Sequence, residues 1–182
     1  FNLATSDIIT DVAIDPQLKF FVVAGYGNSG YGDSATVYDF RSRKILKRLP
    51  TSADKGLGTG VDVSISPDGK WMAFGEDNRT VNLYQSGDWK QVKTFAFEEG
   101  FCGGCGTRVV FSPDSKNIYV ASHNGPLRKY DLRTFKLVRT YEEKTDDLSG
   151  LAISNDGKKL ARSTEKEITI WNESGGDSLG SI

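Results

Sequence analysis

The feature that most constrains this chain is one plan of short apolar runs and polar turns that recurs four times in 182 residues. In each copy the third run ends on an aromatic residue, and a tight turn of the Ser-Pro-Asp-Gly type follows the first run. The turns begin at 15, 66, 112 and 154, in phase with the aromatic residues. The aromatic residues lie 46, 46 and 41 positions apart and are Tyr38, Tyr84, Tyr130 and Trp171. Two independent markers that stay in phase through four copies indicate a true internal repeat.

The apolar runs have the composition of β-strands. They are rich in Val, Ile, Phe and Tyr and are bounded by Gly, Asp, Asn or Pro. A fourth strand is expected in each copy, at 44–49, 90–95, 136–141 and 178–182. No segment shows a sustained apolar period of 3.6 residues, so no helix is predicted. Four short strands in about 40–45 residues are typical of one propeller blade.

The predicted fold is therefore all-β, with about four β-propeller blades of four antiparallel strands each. We expect residues 1–182 to form a single β-propeller segment. Its blades are predicted at about 8–50, 58–97, 106–142 and 148–182.

The third-strand segments 80–85, 127–131 and 168–172 resemble the WD-repeat (WD40-like) family, in which this strand ends on a Trp-Asp pair. Residues 74–85 are the best single match. Family blades often carry a Gly-His pair and an Asp that join Ser or Thr and Trp in a buried hydrogen-bonded tetrad. This chain has no Gly-His pair, and the Asp position holds Asn78, Asn124 and Glu165. The resemblance therefore implies a divergent WD-like propeller.

The resemblance also implies a larger ring, because WD-repeat rings usually close with seven or eight blades. Four blades in an open arc would expose the faces of both terminal blades. We expect the chain to be part of a seven- or eight-bladed ring whose further blades come from the parent chain. A second copy that closes an eight-bladed ring is one alternative, and a closed four-bladed ring is another.

Composition excludes some classes of function. The formal net charge of -1 argues against a nucleic-acid binder held by bulk positive charge. No stretch approaches the roughly 20 consecutive apolar residues that a membrane span needs. Residues 1–11 lack the pattern of a signal peptide. The expected compartment is the cytoplasm or nucleus, with an extracytoplasmic location left open.

The longest predicted loops all emerge on one face of the propeller, here termed the long-loop face. They are the connections between the second and third strands of a blade and those between successive blades. Repeat proteins usually place binding loops together in this way. The alternative is that some of the aromatic side chains of this face, among Tyr26, Tyr31, Phe97 and Phe101, fold back to cap the loops. In the same alternative, His123 is a packing residue. The binding residues predicted on this face are Tyr26, Tyr31, Asp33, Lys55, Phe97, Phe101, Arg108 and His123.

Cys102 and Cys105 form a Cys-x-x-Cys pair in a glycine-rich segment. Such a pair serves as a redox site, as half of a zinc site or as a local disulfide. A zinc site needs four ligands, and the chain offers only His123 in addition. The favoured interpretation is a loop that is reduced in the cytosol or closed by a short disulfide outside it, so no metal or cofactor is predicted.

Two functions follow from this sequence. The favoured one is a non-catalytic protein–protein interaction scaffold that binds a protein or peptide. The alternative is a propeller enzyme, or a metal- or redox-binding module, that uses the central channel or the Cys102/Cys105 loop. A channel site would need convergent ligands where the first strands begin. The residues at those positions are Asp11, Asp62, Arg108 and Ser149, which include no His, so no catalytic residue is predicted.

Overall fold

The computed structural model describes residues 7–27, 35–49, 60–76, 79–97, 106–142, 148–176 and 178–181. These residues form four antiparallel sheets of four strands each, and in every sheet the strands lie side by side in chain order. The described residues form no helix, and hence none that is long and apolar enough to cross a membrane. The prediction of an all-β fold built from four-stranded blades is confirmed.

Each sheet is one blade, and its four strands follow one another without a crossover. Blade one consists of β1 (Asp7–Ile14), β2 (Phe20–Gly27), β3 (Ala35–Asp39) and β4 (Ile45–Leu49). Blade two consists of β5 (Gly60–Ile65), β6 (Trp71–Glu76), β7 (Thr80–Gln85) and β8 (Lys90–Ala96). Blade three consists of β9 (Thr107–Phe111), β10 (Asn117–Ser122), β11 (Leu127–Asp131) and β12 (Leu137–Glu142). Blade four consists of β13 (Gly150–Ile153), β14 (Lys159–Ser163), β15 (Ile168–Asn172) and β16 (Ser178–Ser181).

In blades two to four, the tight turn between the first and second strands is held by a Ser and an Asp two residues apart. In blade one, Asp15 Oδ2 accepts from the Lys19 backbone N–H at 3.0 Å. In blade two the Ser66 hydroxyl donates to Asp68 Oδ1 at 2.7 Å and accepts from the Trp71 backbone N–H at 3.0 Å. The same bond joins Ser112 to Asp114 in blade three, at 2.6 Å. It holds the pKa of the Asp114 carboxyl below its ordinary value. This local network explains why the turns recur in phase with the strands.

The hydrophobic core lies between the blades. Val22 and Val37 of blade one pack with Met72 and Phe74 of blade two, and each of these four side chains is fully buried. The repeat-marking aromatic of blade two, Tyr84, stacks on Phe74 with ring centroids 5.3 Å apart. Equivalent clusters join blade two to blade three and blade three to blade four. Each blade is therefore stabilised mainly by its neighbours.

On its outward face, the side that faces away from blade two, blade one exposes apolar side chains of its first strand. Val12 and Ile14 of β1 are 55% and 54% exposed. Their counterparts in blade two are Val63, which is buried, and Ile65, which packs partly buried against blade one. On blade four, Ile168 is 41% exposed. Packing in the described chain joins successive blades through their first strands, and no comparable packing joins blade one to blade four.

Replacement of Phe74 by Ala tests the importance of the core between blades. We expect Phe74→Ala to lower the free energy of unfolding by about 3–5 kcal/mol, because it removes a fully buried ring and its stacking contact with Tyr84. Urea titration followed by tryptophan fluorescence measures the change. Leu137→Ala is the matched control, because Leu137 is 52% exposed, and it should cost about 0.5 kcal/mol or less. Equal losses in the two variants would contradict this assignment of the core.

Candidate functional site

The described part of the long-loop face is the edge where first strands begin and second strands end. Three of the predicted binding residues have described side chains there: Phe97, Arg108 and His123. The structure places them in three different settings, and no contact among the described residues joins them. Tyr26 lies at the end of β2, but its side chain is outside the described part. The other predicted site residues lie entirely outside the described residues, and their roles stay predictions: Tyr31, Asp33, Lys55, Phe101, Cys102 and Cys105.

Phe97 follows β8 and is only 8% exposed. Its ring belongs to the core between blades two and three, and its backbone N–H donates to the Arg79 carbonyl at 3.2 Å. The Arg128 guanidinium of blade three lies over the ring, 5.6 Å from its centroid. The Phe97 ring is thus packed beneath the long-loop face, and the cationic side chain of Arg128 lies over it.

Arg108 lies in the first strand of blade three and is half-buried. Its Nε donates to the Ser149 carbonyl at 3.2 Å, and its Nη1 donates to the Thr107 carbonyl at 3.3 Å. The guanidinium therefore ties blade three to the segment that enters blade four.

His123 lies in the turn after β10. Its Nδ1 accepts a long hydrogen bond of 3.4 Å from the Leu148 backbone N–H. The backbone N–H of His123 donates to the Gly106 carbonyl at 3.2 Å. The imidazole thus contacts the segment that leads into blade four. Like that of Arg108, its predicted part in binding a partner stays a prediction.

Two carboxylates within the first strands, Asp11 of β1 and Asp62 of β5, join neighbouring blades. Asp11 Oδ2 accepts from the Val63 backbone N–H at 2.8 Å, so it connects blade one to blade two. Asp62 Oδ2 accepts from the Val109 N–H at 2.6 Å and connects blade two to blade three in the same way. The pairing register puts Gly150, one residue beyond Ser149, at the matching position of blade four. Within the described chain, no group of three or more His, Cys, Asp or Glu side chains is arranged to hold a metal.

Burial of the Asp62 side chain shifts the pKa of its carboxyl group. Desolvation raises the pKa of Asp62 to about 6, despite the opposing hydrogen bond from Val109. The neighbouring Asp11 carboxylate adds to the rise, and the Arg108 guanidinium counters it. The ionised form of Asp62 is therefore disfavoured in the folded chain.

The sequence lacks the usual hydrogen-bonded tetrads, and the structure contains two other polar networks. In blade two, the fully buried Glu76 accepts from Asn82 Nδ2 at 2.9 Å and from the Thr80 hydroxyl at 3.3 Å. At the junction of blades three and four, Glu173 Oε1 accepts from the Tyr119 hydroxyl at 2.7 Å and pairs with Lys129 at 2.5 Å. Sequence reasoning missed both networks. The one available signal was a lone Glu at the end of a predicted buried strand, in blade two.

Comparison with known proteins gives one family match and several relatives. The family described as WD domain, G-beta repeat matches residues 54–85. An Arabidopsis thaliana protein described as Cell division cycle 20.5, cofactor of APC complex, is 28% identical over 144 residues. A seven-bladed beta-propeller protein of Mycobacterium tuberculosis is 32% identical over 130 residues. U3 small nucleolar RNA-associated protein 12 of Saccharomyces cerevisiae is 27% identical over 151 residues.

These alignments cover most of this chain but only a part of each relative. They include 78%, 70% and 76% of the chain, respectively. The corresponding shares of the relatives are 30%, 30% and 15%. The chain thus spans less than a third of the length of these relatives.

The raised pKa of Asp62 predicts a specific pH dependence. A carboxyl whose pKa is higher in the folded state binds its proton more tightly there, so its stabilising effect is lost as the pH rises from about 4 to about 6. Asp62→Asn keeps an acceptor for the Val109 N–H and cannot ionise. We expect this variant to gain about 1–2 kcal/mol over the original chain between pH 4.5 and pH 7.5. Urea midpoints at both pH values measure the gain.

Asp156→Asn provides a control of opposite sign. Asp156 is exposed, and the Ser154 hydroxyl holds the pKa of this carboxyl below its ordinary value. The original chain should therefore have a higher free energy of unfolding than Asp156→Asn near neutral pH, and this difference should shrink as the pH falls through the acid range. The same pH trend in both variants would contradict the placement of Asp62.

Proposed function

Because the chain is a divergent member of the WD-repeat β-propeller family, we propose that it is a non-catalytic protein–protein interaction scaffold. It presents its long-loop face to a partner protein or peptide. Blades two to four form a rigid base there, since Arg108 and Asp62 fasten neighbouring blades at this edge. A rigid base with variable loops is an arrangement that proteins commonly use for recognition.

The observation that carries the proposal is the structural use of the side chains where a catalytic channel would need its ligands. Asp11 and Asp62 each accept a backbone N–H of the next blade, and Arg108 donates to a backbone carbonyl. These groups hold the blades together, which favours a scaffold over an enzyme. The name of the Arabidopsis relative, a cofactor of a complex, supports the same choice.

We further infer that the ends of the arc pack against further blades, from the parent chain or from a second copy. Val12 and Ile14 are exposed at positions where blade two buries or half-buries Val63 and Ile65. Covering such apolar side chains is favourable, at about 25 cal/mol per Å². The seven-bladed relative supports a ring larger than four blades. The nucleolar name of the yeast relative supports the cytoplasm or nucleus as the compartment.

Substitution in the predicted loops tests the proposed binding face. The chain, immobilised and exposed to a cell extract, should capture a reproducible set of proteins. Tyr31→Ala and Phe101→Ala should each reduce that capture at least about fivefold, because interface aromatics carry much of the binding energy. Quantitative mass spectrometry measures the capture, and thermal melting checks the fold.

Leu18→Ala is the control for this experiment. Leu18 is 54% exposed and lies in the turn between β1 and β2, on the face opposite the long loops. Its replacement should leave the capture unchanged. The proposal fails if all three variants retain the partners, or if capture falls only when the melting temperature falls with it.

The solution mass tests the proposed covering of the arc. Light scattering on the isolated chain, with and without reductant, measures it. A 40 kDa species that persists in reductant would show that a second copy covers the exposed faces, since one chain weighs 20.0 kDa. A 20 kDa species that binds an apolar fluorescent dye at those faces, and loses dye in Val12→Ser/Ile14→Ser, would leave them to further blades of the parent chain. A 20 kDa species that does not bind the dye would contradict the inference.

A further inference from the structure

A buried arginine lies at the long-loop end of blade two. Arg79 immediately precedes β7 and is only 9% exposed. Its backbone has a φ of 65°, in the left-handed region that non-glycine residues rarely adopt. Its carbonyl accepts the Phe97 N–H at 3.2 Å. The chain thus places a long cation below the surface at a strained position.

The turn around Arg79 is fixed from both sides. Thr107 Oγ1 of blade three is fully buried and lies 3.2 Å from each of the Glu76 and Thr80 carbonyl oxygens. The Glu76 carboxylate accepts from Thr80 and Asn82. Among the described residues, Arg79 makes no ion pair within 4.0 Å, and its Nε is buried without a hydrogen-bond partner.

A second arginine, which is partly buried, lies across the blade boundary. Arg128 of β11 also buries an Nε for which the described part of the chain supplies no acceptor. Its guanidinium lies 5.6 Å from the centroid of the Phe97 ring. Phe97 therefore contacts both residues: its backbone N–H bonds the backbone carbonyl of Arg79, and its ring lies under the guanidinium of Arg128.

The described part of the chain supplies no acceptor for the buried Nε of either arginine. Desolvation of a charged donor without a partner is unfavourable, most of all for the buried Arg79. A carboxylate or phosphate offers several acceptor oxygens in the geometry that the arginine fork matches. An acidic group from outside the chain would meet both requirements.

We propose that Arg79, Arg128 and Phe97 form an anion subsite on the long-loop face, between blades two and three. The subsite takes the carboxylate or phosphate group of an acidic partner peptide. It rests on the proposed function in that its natural ligand belongs to a binding partner. The capacity to bind a small oxyanion depends only on the residues named here.

Inorganic phosphate is the first probe. It is titrated into the ¹⁵N-labelled chain at constant ionic strength, and the arginine Nε–Hε signals are followed by NMR. The signals of Arg79 and Arg128 should move along one saturable curve, and the exposed Arg133 should not follow it. Arg79→Met should raise the phosphate Kd about tenfold, as loss of one charge-assisted hydrogen bond implies. Arg133→Met, the matched control, should leave it unchanged.

Thermal melting separates this role from a merely structural one. Without phosphate, Arg79→Met should melt at the same temperature as the original chain or higher, because it removes an unpaired buried charge. With phosphate, only chains that retain Arg79 should gain stability. A lower melting temperature for Arg79→Met without phosphate, together with an unchanged Kd, would show a structural arginine and overturn the proposal. Equal shifts at Arg133 would overturn it as well.

Two peptides identify the source of the anion. A hexaglutamate peptide carries carboxylates, and a phosphoserine peptide of otherwise neutral composition carries phosphate. Binding of either, weakened by Arg79→Met, supports the subsite and names its group. Binding of neither overturns the peptide assignment. If the subsite fails while Tyr31→Ala still reduces capture, the scaffold proposal stands; if phosphate binds while no partner is captured, the scaffold proposal fails alone.

Discussion

Packing between neighbouring blades is the interaction on which the rest of this structure depends. A single four-stranded sheet has two faces and cannot bury either of them alone. In this chain Phe74 and Tyr84 fill the space between blades one and two, and Tyr119 and Trp171 belong to the cluster that joins blades three and four. The aromatic residues that mark the second, third and fourth repeats, Tyr84, Tyr130 and Trp171, therefore belong to the clusters between blades.

Polar fastenings supplement this packing and differ from one junction to the next. Two junctions use an Asp that accepts a backbone N–H, and the third uses Arg108 as a donor. Acids that accept from several donors occur at different places: Glu76 is fully buried inside blade two, and Glu173 is partly buried at the junction of blades three and four. A buried acid with several donors around it keeps its charge satisfied while it fixes the geometry. In place of the usual tetrad, this chain thus uses other polar groups to hold its strands and blades in position.

The strands could be predicted from the sequence because short apolar runs mark them and local turns separate them. In blades two to four the turn after the first strand contains a Ser–Asp bond, as in Ser66–Asp68. The polar networks could not be predicted, because their members come from different repeats: Tyr119 and Glu173 are 54 residues apart. Phe97 illustrates the same limit. Its position at a predicted loop suggested an available aromatic, whereas packing against blade three buries it. Arg79 gave no signal at all, since its burial depends on the neighbouring blade.

Among the described residues, the side of blade one that faces away from blade two and the side of blade four that faces away from blade three differ in composition. The outward face of blade one carries Val12 and Ile14 beside the stacked rings of Phe21 and Tyr38, whereas that of blade four carries Ile168 among smaller residues such as Ala152. A contact between these two unlike faces, as in the covering proposed above, would be heterologous, head to tail. A series of heterologous contacts closes only when the rotations between successive blades add up to a full circle. The angle between successive blades, rather than the strength of their contact, therefore limits how many blades such an assembly contains.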